Sequence, residues 1–382
     1  MTQESAMRPG PQSNSSADMA LLTPRTLKLT TAQPARHPSP IVKATALAYV
    51  IFARPDLDKA AKFLGDFGLR VVSRTNERLL LRGTGPAPYC YIVEKAAKAR
   101  FVGLGLAVDS DEALAKLAKL PGASAIEPVA LPGGGRKVRL IDPAGFRVEA
   151  ISGRAPVDAL PHRAAILLNS PDKTVRVDEG QRPPQSAPEI IKLGHLLLEV
   201  PNYQEVAAFY TSTFGFIPSD AAVLPNGEPV ATFFRLDLGD TPADHHTLAL
   251  ALSVLTGYGH SAYEVVDADA VGMGQRVLSD RGWKHAWGIG RHILGSQIFD
   301  YWKDAWGDKH EHYCDGDVFT SESPMGVHAM SRRAMSQWGP IVPKDFAAPK
   351  LGISELMKIF GNIRRFDDLS FKKIGALLKS IA

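Results

Sequence analysis

Two histidines and one glutamate, His195, His260 and Glu311, carry the strongest chemical signal in the chain. His195 stands in "GHLLLEV" and His260 in "GHSAYEV", at the same place in two strand-like runs. Glu311 lies in "HEHYCD", in the closing strand of the same stretch. Two imidazoles and one carboxylate on separate strands can occupy one face of a metal ion, the facial set suited to non-haem iron(II). The opposite face stays open, with room for a ligand of two adjacent oxygens and for dioxygen. Eight of the eleven histidines fall between His195 and His312, so the histidines are not scattered. Strand alternation puts Glu311 and Tyr313 on one face and His310 and His312 on the other. His310 and His312 are therefore read as non-ligands.

Such a set needs a scaffold of strands, and the sequence repeats one. From Ile41, "KATALAYVIF" has strand composition, and "RPDLDKAAKFLGDFGL" reads as a helix with Asp56 as its N-cap. Three strand-like runs follow, giving the order β-α-β-β-β. A second such unit begins at Phe101 and closes in "KVRLIDPAGFRVEAIS". After a Pro- and Arg-rich stretch the pattern returns at "IKLGHLLLEV", where Asn202 and Glu205 have the spacing of a capping box. The fourth unit opens at "YGHSAYEV" and ends beyond Glu311. Asp142, Gly145 and Glu149 in the first half match Asp304, Gly307 and Glu311 in the second, both as D-x-x-G-x-x-x-E.

The expected fold is therefore α+β, with two tandem modules, each a pair of βαβββ units. The expected divisions are a disordered extension at 1–40, a first module at 41–153 and a linker at 154–188. A second module follows at 189–320, and a tail with a helix at 321–382. Tyr49 stands where His195 stands, and Val102 lies near the place of His260, so the first module is expected to hold no metal.

Composition narrows the function classes. The formal net charge of +4 is small, and ten Lys/Arg against five Asp/Glu from Thr320 onward supply the excess. That is too weak a basic field to indicate nucleic acid. No run approaches the ~18 apolar residues of a membrane span. Cys90 and Cys314 form no C-x-x-C pair, which fits a reducing cytoplasm.

The paired βαβββ units, with a His/His/Glu set confined to the second pair, resemble the type I extradiol ring-cleavage dioxygenases of the vicinal oxygen chelate superfamily. The resemblance covers about residues 41–320 and implies modules that form open barrels. It implies iron(II), with manganese(II) as the other fitting ion, bound by His195, His260 and Glu311. It implies a catechol-type substrate cleaved with O2, as in aromatic hydrocarbon catabolism, and a homo-oligomer. Three further residues sit at the family's catalytic spacings. His246 precedes His260 by fourteen residues; His292 and Tyr301 precede Glu311 by nineteen and ten. His245, beside His246, is expected to point away. Asp300, where the family has an apolar residue, and Ala305, in place of a common Pro, mark a divergent branch.

For a flat ring an apolar, aromatic pocket is expected, with Trp287 and Phe299 as lining and Trp283 and Trp302 as further candidates. Arg291 is a candidate for a substrate anion. Two other classes share the fold: glyoxalase-like isomerases or thiol transferases, and metal-free small-molecule binding proteins. Which catechol or hydroquinone is cleaved is not legible, and the tail is left between the site mouth and a neighbouring subunit.

Overall fold

The computed structural model describes residues 33–346 and 352–381. Most of the extension expected at 1–40 lies outside the described residues. Its last part packs on the second module: Arg36 bonds to Asp237 and Glu322, and Gln33 to the Gly227 carbonyl.

The first module opens with β1 (Ala44–Arg54), α1 (Leu57–Asp66), β2 (Arg70–Arg74), β3 (Arg78–Arg82) and β4 (Tyr91–Lys95). It continues with β5 (Arg100–Val108), α2 (Asp111–Leu117), β6 (Glu127–Pro128), β7 (Arg136–Ile141) and β8 (Arg147–Ser152). The eight strands form one sheet in the order β2-β3-β4-β1-β5-β8-β7-β6. Asp56 caps α1 by accepting from the Lys59 amide. Leu57, Ala60 and Leu64, spaced on one helical face, and Phe63 pack into the core.

The second module repeats the plan with β9 (Ile190–Val200), α3 (Tyr203–Phe214), β10 (Ile217–Val223), β11 (Pro229–Arg235), β12 (Ala243–Asp244) and β13 (Leu248–Leu252). Then come β14 (Gly257–Val265), α4 (Ala268–Asp280), β15 (Lys284–Arg291), β16 (Ile298–Lys303) and β17 (Lys309–Cys314). The short β18 (Val318–Phe319) pairs with β12, and β19 (Gly326–Ala329) joins the main sheet beside β10. That sheet runs β15-β16-β17-β14-β9-β13-β11-β10-β19. Two helices end the described chain, α5 (Ile353–Arg365) and α6 (Phe371–Ile381). No helix among the described residues is long and apolar enough to cross a membrane.

Asn202 does cap α3, but without the expected box. Its side chain accepts nothing from the helix; its amide donates to Glu205 and to the Pro143 carbonyl of the first module. Tertiary contact has displaced the local motif.

The D-x-x-G repeat has a clear structural cause. Gly145 (φ 94°) and Gly307 (φ 92°) each close a hairpin turn by donating to the carbonyl of Asp142 or Asp304. That left-handed backbone favours glycine. The same aspartates lock the modules together. Asp142 accepts the Tyr210 hydroxyl at 2.9 Å, and Asp304 accepts Arg54 at 2.8 Å. His310 and His312 face this seam, as alternation required: His310 meets the Tyr91 hydroxyl at 3.0 Å, and His312 donates to the Phe67 carbonyl at 2.7 Å.

Candidate metal centre

Strand register builds the cluster. β14 lies between β9 and β17, and Ala262 pairs with His195 on one side and Glu311 on the other. His260 lies two residues before Ala262, on the same face of β14. All three side chains thus rise from three adjacent strands toward one point. His195 Nε2 lies 3.3 Å from His260 Nε2 and 3.2 Å from Glu311 Oε2, and His260 Nε2 lies 3.3 Å from that oxygen. For ligands held at about 2.1 Å and at right angles on a divalent ion, the expected edge is ~3.0 Å.

The donors fit a cation. His195, His260 and Glu311 are all buried, and neither oxygen of Glu311 receives an aligned hydrogen bond. A carboxylate buried without a counter-charge is costly, and a divalent cation would supply one. Burial tends to raise the Glu311 carboxyl, but the contacts with His195 and His292 outweigh it, so it is held below the usual range. Burial pushes His260 down to about 3. Both groups are held in the deprotonated, metal-ligating form. Among the described residues, this is the group of three whose ligand atoms lie within 4.8 Å of one another.

Three acid–base groups surround the cluster. His292 Nε2 lies 2.9 Å from the Tyr301 hydroxyl and 3.7 Å from Glu311 Oε1. His292 Nδ1 faces the Met335 carbonyl at 2.8 Å. A carbonyl only accepts, so Nδ1 carries the proton, and in the neutral ring Nε2 accepts from Tyr301. Burial and the Glu311 charge hold the Tyr301 phenol far above its ordinary value, so it stays a donor. The His246 ring packs 4.0 Å from the His195 ring, and burial among the neighbouring histidines keeps it neutral.

The tail covers this side of the molecule. Trp287 Nε1 donates to the Pro340 carbonyl, and the Arg291 backbone pairs with Gln337 and Trp338. Phe346 stands edge-on against Tyr301 and Trp287, and Lys309 donates to its carbonyl. This contact involves residues 335–346 of the tail; the two C-terminal helices pack elsewhere, where Asn362 donates to the Val254 carbonyl and Asp368 accepts from the Gln204 amide.

Several expectations change. Trp287 and Phe299 are buried and back the acid–base pair: Trp287 stacks on Tyr301, and Phe299 stacks on His292 at 3.9 Å. They hold those rings in plane instead of lining an open wall. Trp283 packs on Phe63 of the first module, and Trp302 bonds to Asp300. The Arg291 guanidinium is engaged by the Ser296 carbonyl and Asp315. His245 turns toward Asp220, and its partners are His246 and that carboxylate, none of the three ligands. Its Nδ1 meets His246 Nδ1 at 2.9 Å, and its Nε2 meets Asp220 at 2.6 Å. Asp220 and His328 were not singled out in the sequence: Asp220 has no motif around it, and His328 lies beyond the repeat. Asp300 is buried in the middle of the β15–β16 pairing, opposite Gly288, and is bonded to His285 and Trp302.

Two βαβββ pairs with a His/His/Glu cluster in the second define a protein of the vicinal oxygen chelate fold. Residues 192–307, most of the second module, match the family model of the Glyoxalase/Bleomycin resistance protein/Dioxygenase superfamily. "Metapyrocatechase 2" of Cupriavidus necator is 34% identical over 157 residues, which are 41% of this chain and 46% of that protein. The chain thus spans about half the length of this curated relative. Among solved structures, homoprotocatechuate 2,3-dioxygenase from Brevibacterium fuscum aligns with TM-score 0.68 at 18% identity, covering 83% of this chain and 95% of that one. The Mn(II)-bound glyoxalase from Novosphingobium aromaticivorans aligns with TM-score 0.67 at 24% identity, covering 82% and 97%. At these identities the structures establish the shared fold.

Proposed function

We propose that the chain is an extradiol-type dioxygenase that cleaves a catechol-type ring with O2, with iron(II) held by His195, His260 and Glu311. One observation carries the reading: a complete facial ligand set and three acid–base side chains, His246, His292 and Tyr301, all come from a single module. The name of the Cupriavidus relative points the same way. A glyoxalase-like reaction has the Novosphingobium neighbour in its favour, but that likeness reaches only the fold.

Iron(II) bound on this face would offer adjacent positions to both catechol oxygens and to dioxygen. The protein's own part is to orient the ring and manage protons. Tyr301 donates from its hydroxyl, and His292 presents Nε2 as a base, so together they can bind a diol oxygen and take its proton. His246, pressed on His195, is the neutral acid–base group on the other side of the cluster. Phe346, Trp287 and the chain from Met335 to Val342 close over Tyr301 and His292 and keep water from that pair.

The test is anaerobic purification, iron(II) reconstitution and an oxygen electrode with a panel of catechols. Oxygen uptake with a new yellow product, abolished in His195→Ala, is the expected result. Bound iron with no uptake on any catechol or hydroquinone would refute the proposal.

A further inference from the structure

Behind His246 runs a chain of hydrogen bonds that ring cleavage by the groups above does not require. His246 Nδ1 meets His245 Nδ1 at 2.9 Å, and His245 Nε2 meets Asp220 Oδ2 at 2.6 Å. The other Asp220 oxygen takes His328 Nε2 at 2.7 Å. The four residues come from three separate places. Asp220 sits on β10, His245 and His246 lie between β12 and β13, and His328 sits on β19, which pairs with β10. Asp220 and Gly326 are register partners in that pair, and a Cβ on Gly326 would strike the Asp220 carboxylate at 2.0 Å. The tail strand therefore needs glycine at this point to bring His328 to Asp220.

We infer that Asp220, through His245, is a positioning residue that fixes the tautomer of His246, with the proton on Nδ1 and Nε2 left bare. The argument follows donors and acceptors. The two histidine contacts outweigh burial and hold the Asp220 carboxyl at about 2, so it is ionised and only accepts. Both histidines must then donate from Nε2. Its single negative charge can match one cation. His245 is 1% exposed, whereas the His328 side chain is 35% exposed and better able to carry charge in contact with water. His245 is the neutral member, so its Nδ1 is bare and accepts from His246 Nδ1–H. His246 is left with a lone pair on Nε2, in a ring packed on His195. A carboxylate that sets a histidine tautomer is worth up to ~10⁴-fold in the serine-protease triad.

The role at the reaction rests on the dioxygenase reading, but the tautomer does not. The full chain, labelled with ¹⁵N-histidine and loaded with diamagnetic zinc(II), is read by long-range ¹H–¹⁵N correlation NMR. The unaltered chain is expected to show His246 with Nδ1 protonated and Nε2 bare. Asp220→Leu removes the acceptor at similar volume, and His245→Phe keeps a ring but offers no nitrogen. In either variant the single tautomer is expected to become a mixture. On a cleaved catechol, kcat should fall roughly 10²-fold with KM little changed. His246 protonated at Nε2 in the unaltered chain, a doubly protonated His245, or one unchanged tautomer in a folded variant would overturn the inference. Absence of ring cleavage with the expected tautomer would count against the reaction and leave this arrangement standing.

Discussion

The two modules put a glutamate at the same strand position and surround it differently. In the first, Glu149 accepts the Tyr49 hydroxyl at 2.7 Å and the Lys137 ammonium at 3.0 Å. In the second, Glu311 has no aligned donor and faces two imidazoles at 3.2 and 3.3 Å. Register makes the correspondence exact in kind: Gly105 pairs with Tyr49 and Glu149 as Ala262 pairs with His195 and Glu311. The place of His260 is therefore taken by Gly103, one residue on from the Val102 expected from sequence. There a Cβ would lie 1.9 Å from the Arg147 carbonyl oxygen, so no side chain fits without a shift of the backbone. The same fold thus gives a closed, internally neutralised carboxylate in one copy and a cation-seeking one in the other. Which outcome occurs depends on three positions, not on the sheet.

The largest expected effect comes from pushing the second module toward the first. His195→Tyr puts a phenol where Tyr49 stands and removes one ligand. It is expected to abolish stoichiometric iron(II) binding, measured by metal analysis after reconstitution, while far-ultraviolet circular dichroism stays unchanged. Retention of stoichiometric iron would mean that the other donors suffice and would break the comparison.

Much of this contrast was legible in sequence, because it rests on strand periodicity and on a repeat. The D-x-x-G-x-x-x-E pattern works locally: glycine makes the turn, and alternation then sets where the glutamate points. His195, His260 and Glu311 converge because equivalent strands pair in equivalent register. What escaped was fixed by distant contacts. Nothing near Asp220 in sequence announces that β19 will bring His328 to it. Trp287 and Phe299 have the composition of a pocket wall, yet the tail supplies the Pro340 carbonyl and buries the indole. Asn202 with Glu205 has the spacing of a cap, but the neighbouring module takes the side chain.

A mid-sized effect compares the two turn aspartates. Asp304 is paired with the Arg54 cation, whereas Asp142 is buried against a neutral phenol, Tyr210. Burial pushes the Asp142 carboxyl up to about 6, although the Phe146 amide and Tyr210 act against it. The folded state then holds this proton more tightly than the unfolded chain, whose aspartate titrates near ~3.9. Its stabilising contribution is full below about pH 4 and is lost as pH rises through about 6, by an amount on the order of 3 kcal/mol. Asp142→Asn should flatten the dependence of urea stability on pH between about 4 and 6. An unchanged slope in that window would show that Asp142 is ionised throughout and that the two turns behave alike.

The smallest effect tests whether the first module's site is purely structural. Tyr49→Phe removes the hydroxyl that Glu149 accepts and leaves Lys137 in place. The ring packs on the Gly105 side, where no Cβ intervenes, and would remain there. Only the hydrogen bond is lost, but its acceptor is a buried charge, so the cost falls at about 1–3 kcal/mol. Urea denaturation should show a lower midpoint with an unchanged slope. Iron content and oxygen uptake should stay at the level of the unaltered chain, because the cluster lies wholly in the second module. A drop in uptake at constant iron content would show that the first module reaches the reaction through the seam where Tyr91 meets His310, one residue before Glu311. The division between a neutralised site and a cation-seeking one would then be energetic coupling as well as geometry.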